Sequence, residues 1–182
     1  MTLTETGFEG LLIIEPRVFE DSRGYFMESY NKTLFNNLGI KNQWVQDNQS
    51  KSVRGVVRGL HYQLKPKSQA KLIRVIEGSI YDVALDLRKD SKTFGKYFGI
   101  ELSAENKKQF LVPHGFAHGF SVLSKTATVL YKCDELYSPT EERGINPKDP
   151  MLGINWNLDE SEMILSDKDL NNPTFKDSEY NF

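Results

Sequence analysis

The hydrophobic positions of this chain gather in short runs broken by glycine, proline and polar turn residues. The runs are GLLIIEP at 10–16, RGYFMESY at 23–30, GVVRGLHYQ at 55–63 and KLIRVIEGSIYDVALDL at 71–87, then YFGIELS at 97–103, KQFLVPHGFAHGFSVLS at 108–124, ATVLYKCDELY at 127–137 and GINW at 153–156. Many are rich in Val, Ile, Tyr and Phe, the β-branched and aromatic residues that suit a half-buried strand. Alternation is cleanest over 79–87, which predicts a strand with Tyr81, Val83, Leu85 and Leu87 on one face and Asp82 and Asp86 on the other. The EGS at 77–79 reads as the tight turn of a hairpin.

Two segments carry helix signals. NKTLFNNLGI offers Asn31 as N-cap and Gly39 as a C-terminal stop. SDKDLNNP opens on Ser166 with Asp169 three residues later, the spacing of a capping box. The pattern as a whole predicts an all-β protein, a jelly-roll barrel or sandwich with a few short peripheral helices, whose interior can hold a small ligand. There is no internal repeat, low-complexity tract or composition break, and the proline-containing stretch 139–150 reads as a surface loop because strands flank it. A single domain over residues 1–182 is expected.

Charge narrows the function classes. Lys plus Arg is 23 and Asp plus Glu is 25, a net charge of -2, without the basic excess of a nucleic-acid binder. The one cysteine, Cys133, leaves no intramolecular disulfide and no disulfide framework of an oxidising compartment. The opening MTLTETGFEG lacks the basic start and apolar run of a signal peptide, and no apolar stretch approaches the ~20 residues of a bilayer span. A soluble, cytoplasmic protein with neither membrane nor nucleic acid as partner is expected.

Candidate chemistry begins with the three histidines. His114 and His118 stand four apart, but Pro113 and Gly115 oppose a helix there, so PHGFAHGF reads as strand and turn. Pro113, Gly115 and His118 resemble the second motif of the cupin superfamily, Pro-x-Gly-x-x-His. The first motif of metal-binding cupins, His-x-His, has as its counterpart His61-Tyr62-Gln63, with glutamine in place of the second ligand. A cupin-like barrel without a catalytic metal is expected, with chemistry done by side chains. His61 suits a general base, Tyr131 an acid, Lys71 an oxyanion stabiliser, and Arg23 and Arg58 the binding of phosphate. Each has an ordinary alternative: a packed polar histidine, a core tyrosine, solvated or ion-paired arginines. Asp167 suits the N-terminus of its helix. Arg58 and His61 are an odd number apart and face opposite sides of a regular strand, unless Gly59 marks a bulge.

In order and spacing, DSRGYFMESYN, VQDNQSKSVRGVVRGLHYQ, AKLIRVIEGSIYDVALDLRKDSKTFG, PHGFAHGF, YKCDELYSP and LSDKD resemble the dTDP-4-dehydrorhamnose 3,5-epimerase family from about residue 8 to residue 172. The resemblance implies an RmlC-like cupin jelly roll and a homodimer that exchanges strands. It also implies an isomerase that turns dTDP-4-dehydro-6-deoxy-D-glucose into dTDP-4-dehydro-L-rhamnose with no metal or organic cofactor. By motif it makes His61 the proton acceptor, Tyr131 the proton donor, Asp167 the carboxylate paired with the histidine, and Lys71 the residue near the ketone oxygen. Substrate binding falls to Arg23, Glu28, Gln46, Asn48, Arg58, His118, Glu142 and Lys168, and Tyr137 stacks on the thymine. Some nucleotide contacts come from the partner chain in this family, so Arg23 and Glu28 are expected to act across the dimer. Where the family's pattern has Glu before the glycine of the Pro-x-Gly segment, this chain has His114. Three other readings stay open: a mono-epimerase acting at C3 or C5 only, a metal-dependent cupin, and a non-catalytic nucleotide-sugar binding module.

Overall fold

Thirteen strands carry nearly all the regular structure of the computed structural model, which describes residues 1–182. In chain order they are β1 (Thr2–Glu5), β2 (Leu12–Glu15), β3 (Val18–Asp21), β4 (Gly24–Met27), β5 (Gln46–Val53), β6 (Val57–Gln63) and β7 (Lys71–Glu77). They continue with β8 (Ser79–Asp86), β9 (Tyr97–Ser103), β10 (Gln109–Val112), β11 (Phe116–Val122), β12 (Thr126–Cys133) and β13 (Glu142–Gly144). Helices α1 (Lys32–Asn37) and α2 (Asp167–Leu170) are short and peripheral, and no helix is long and apolar enough to cross a membrane.

One sheet runs β1-β2-β10-β7-β12-β5 and the other β13-β6-β11-β8-β9, with β3 and β4 forming a separate hairpin. The two sheets close over a core that includes Ile73, Val75, Phe110, Val129, Ile80, Phe116 and Phe120. Side chains of this size contribute about 1.5–3 kcal/mol each when fully buried. A second apolar cluster, with Val83, Leu85, Leu87, Leu60, Tyr62 and Trp156, lies on the other face of the second sheet, beneath the C-terminal segment. This all-β architecture is the expected jelly roll.

Alternation over 79–87 reads correctly, but its meaning changes. Val83, Leu85 and Leu87 pack under the C-terminal segment, while Ile80 and Ala84 face the barrel core. The strand is buried on both faces, and the two aspartates are themselves fully buried. The EGS turn is not a hairpin: β7 and β8 belong to different sheets, and Gly78 carries the chain between them. Its φ is +76°, and a Cβ would sit 2.0 Å from the Thr126 carbonyl oxygen. GINW is not a strand either, because Gly153 has φ +56° and the segment bends against the core through Trp156.

Sequence periodicity is silent on β1, β3, β5 and β13. The β5 sequence QDNQSKSV has one apolar residue, because its inward face lines a polar cavity and not a core. Both caps form as expected. The Asn31 side chain accepts from the N–H groups of Thr33 and Leu34, Gly39 follows at φ +84°, and the Ser166 hydroxyl accepts from the Asp169 N–H.

The parity problem at Arg58 and His61 is resolved by a bulge. His61 stands opposite His118 and Arg58 opposite Phe120, so three steps on β6 match two on β11. Both side chains therefore lie on the face of β6 opposite Val57 and Leu60, His61 in the cavity and Arg58 exposed beyond it. Gly59 makes this possible, with φ +120° and room for no Cβ, which would lie 2.5 Å from the Gly119 Cα.

Candidate active site

Between the sheets lies a cavity of about 250 Å³ with a polar lining. Gln46 and Asn48 enter it from β5, Lys71 from β7 and Tyr131 from β12, all in one sheet. His61 and Gln63 enter from β6 in the facing sheet, and Tyr137 and Glu142 stand beside them. The period of two along each strand determines this, since Gln46 and Asn48, or His61 and Gln63, project from the same side.

His61 is fixed by a carboxylate. Its Nε2 lies 2.6 Å from Asp169 Oδ1, and Asp169 is only 4% exposed. Burial alone would raise the Asp169 carboxyl, but hydrogen bonds from His61, Ser166 and the Gly59 N–H hold it below the ordinary carboxylate range. A buried carboxylate on one ring nitrogen orients the imidazole and leaves the other nitrogen for a substrate proton.

Lys71 and Tyr131 are shifted in opposite directions. Burial pushes the Lys71 ammonium below the ordinary 10.5, against the attraction of Cys133, Asp82 and Glu142. Burial pushes the Tyr131 phenol above 10.0, with Arg58 pulling the other way. The phenol thus stays protonated where an acid is needed.

Glu142, and not its neighbour Glu141, lines the cavity. It accepts from Lys168 Nζ at 2.7 Å and from the Tyr137 hydroxyl at 2.9 Å. Burial would raise its carboxyl, yet these two donors hold it below the usual value. The Lys168 ammonium is raised by the same hydrogen bond. Arg58 is held by the Ser52 hydroxyl at 3.0 Å, four residues along β5 from Asn48. His118 sits beside His61 on the neighbouring strand, its Nε2 2.8 Å from Asp82 Oδ1, with both groups buried. Burial pushes the Asp82 carboxyl up, with His118 opposing.

The model of the dTDP-4-dehydrorhamnose 3,5-epimerase family matches residues 5–177. A Shigella flexneri dTDP-4-dehydrorhamnose 3,5-epimerase is 50% identical over 181 residues, which span 99% of each chain. The crystal structure of the Elizabethkingia anophelis enzyme of that name superposes with a TM-score of 0.93 at 54% identity, covering 97% of both chains. A Legionella pneumophila epimerase, solved in complex with dTDP-4-keto-L-rhamnose, has a TM-score of 0.93 at 45% identity, covering 98% of this chain and 94% of its own. The chain belongs to this epimerase family. It is a carbohydrate epimerase, an isomerase.

The structure makes one correction to the residue roles that the resemblance implies. The partner of His61 is Asp169, not Asp167. The two aspartates stand two residues apart on a single helical turn, about 200° around it, so only one can face β6. Asp167 is exposed at the start of α2, while Asp169 is buried against His61. Ser166 caps the Asp169 N–H, and the Asp169 carboxylate is spent on the histidine.

Arg23 and Glu28, expected to act across the dimer, do not enter this chain's own cavity. Arg23 lies at the β3–β4 turn with its side chain 88% exposed, forked onto Asp21. Glu28 accepts from Asn31 and lines a separate surface hollow with Met1, Arg17 and Phe19. The residue roles that the resemblance implies leave out Gln63 and Gln69, although both line the cavity. His114 lies outside it, on Asp134 at 2.9 Å.

Proposed function

We infer that this chain inverts C3 and C5 of dTDP-4-dehydro-6-deoxy-D-glucose to give dTDP-4-dehydro-L-rhamnose, on the route to dTDP-L-rhamnose. One observation carries the mechanism: His61 and Tyr131 enter the same cavity from facing sheets, with Lys71 beside Tyr131. Inversion requires proton removal and return on opposite faces of the sugar ring.

C3 and C5 both flank the C4 ketone, which acidifies their protons. His61, oriented by Asp169, removes one proton and leaves an enolate. The Lys71 ammonium stabilises the charge that develops on the ketone oxygen. Tyr131 then returns a proton from the other face; His61 gives its proton to water and Tyr131 regains one before the sequence repeats at the second carbon. No electrons change hands overall, so the reaction calls for no redox cofactor. Gln46, Asn48, Arg58, His118, Glu142 and Lys168 serve the nucleotide sugar, and the exposed ring of Tyr137 suits stacking on the thymine.

The protein acts as a cytoplasmic homodimer of single RmlC-like domains, with Arg23 and Glu28 reaching the partner's site. The exposed hairpin supports this, since Phe19, Tyr25 and Phe26 are each more than half exposed and need a covering surface.

The test is proton NMR of dTDP-4-dehydro-6-deoxy-D-glucose with the protein in deuterated water, without added metal. Deuterium at C3 and C5, with the L-configured product trapped by a reductase, is expected. Exchange and inversion at one carbon would make it a mono-epimerase, and no exchange at either would overturn the reading.

A further inference from the structure

Gln63 occupies the place where a metal-binding cupin has its second histidine ligand, and its amide is fully engaged elsewhere. Its Oε1 accepts from the Ser138 N–H at 2.8 Å. Its Nε2 donates to the Lys67 carbonyl at 2.5 Å and the Leu136 carbonyl at 3.2 Å. A primary amide offers two N–H donors and one carbonyl oxygen, and all three groups are taken by backbone. The side chain is buried, 3% exposed. An imidazole has only two ring nitrogens and cannot make these three bonds.

The segment Gln63 holds is the one that carries Tyr137. Its neighbouring N–H is held from the opposite sheet, since Tyr137 donates to Gln46 Oε1 at 2.9 Å. Successive N–H groups, at residues 137 and 138, are thus gripped by two glutamines from facing walls. The Tyr137 hydroxyl is tied in turn to Glu142. Between these anchors Tyr137 stays 52% exposed. Gln69, on the loop that precedes β7, donates to the Glu135 carbonyl at 2.7 Å and stitches the same two loops together.

We propose that Gln63 is a positioning residue for nucleotide recognition: with Gln46 it clamps the 136–138 backbone and holds the Tyr137 ring ready for the base. The proposal rests on the epimerase reading above. A ring fixed before binding loses little entropy when the base arrives, so the clamp acts on affinity. The proton-transfer groups His61, Asp169, Lys71 and Tyr131 make none of these bonds.

The experiment compares wild type, Gln63→Met and Tyr137→Ala with the double variant, measuring dTDP affinity, KM and kcat. Gln63→Asn, which keeps an amide but withdraws it by one methylene, replaces the methionine variant if that does not fold. The expected result is a KM and dTDP Kd raised about 10-fold with kcat within about 2-fold of wild type, and no further rise when Tyr137 is already alanine. Wild-type affinity in the Gln63 variant, or the same loss with and without Tyr137, would overturn the clamp alone. A wild-type protein that neither binds dTDP nor exchanges protons of the keto-sugar would overturn the epimerase reading and this one with it.

Discussion

His61 and Asp169 face each other at 2.6 Å, across a strand and a one-turn helix that are 108 residues apart in sequence. Neighbouring Asp167, the carboxylate that the motif favours, points away into solvent. This pair divides the two aspartates by consequence. Asp169→Asn is expected to lower kcat by ~10²–10⁴, because the imidazole loses its orienting carboxylate, whereas Asp167→Asn stays within about 2-fold. His61→Ala is expected to abolish epimerisation while dTDP binding persists. Equal losses in the two aspartate variants, by steady-state kinetics, would reverse the assignment.

Tyr131→Phe separates proton removal from inversion. His61 can still remove a proton and return a deuteron to the same face, so exchange from deuterated water is expected to continue while inversion falls by ~10²-fold or more. NMR reads both rates in one sample. Loss of exchange in step with inversion would place Tyr131 in the removal step.

Burial shifts Lys71 and Tyr131 in opposite directions. The Lys71 ammonium is lost below the ordinary 10.5, and the Tyr131 phenol ionises above 10.0. The alkaline limb of kcat that follows loss of the Lys71 ammonium is therefore expected below pH 10.5. Stability should move the other way. Between the depressed folded value and 10.5 the unfolded chain binds more protons at this residue, so its contribution to stability rises with pH. Lys71→Met is expected to remove the limb from the residual activity and to flatten that rise in urea unfolding midpoints. A limb unchanged in the variant would assign it elsewhere.

Gly59→Ala tests the bulge that turns Arg58 and His61 to one side. The added Cβ meets the Gly119 Cα at 2.5 Å and the His118 carbonyl at 2.7 Å, at φ +120°. A loss of about 1–3 kcal/mol from the backbone conformation alone is expected, with a larger fall in kcat/KM because the base is displaced. Denaturant midpoints and kinetics measured together give both numbers.

The dimer reading has its own signature. If Arg23 serves the partner's cavity, mixing Arg23→Ala chains with His61→Ala chains restores one intact site per mixed dimer. Random reassortment would then give about a quarter of wild-type activity. Mixtures no more active than their components, at a mass that shows a dimer, would place Arg23 outside the site.

Much of this protein was determined by the sequence alone. The period of two in 79–87, the β-rich runs such as 97–103, the caps at Asn31 and Ser166, and the turn residues between runs specify an all-β chain, because local sterics and side-chain alternation act over a few residues. His61, Lys71 and Tyr131 were legible from residue chemistry and motif, which need no knowledge of the fold. Tertiary structure decided the rest. It took β7 and β8 into different sheets, turned a polar strand at 46–53 into a cavity wall, and chose Asp169 over Asp167. It also put Gln63 under the Tyr137 loop. These outcomes depend on which surfaces meet across long sequence separations, and no short-range pattern of hydrophobic and polar residues encodes that meeting.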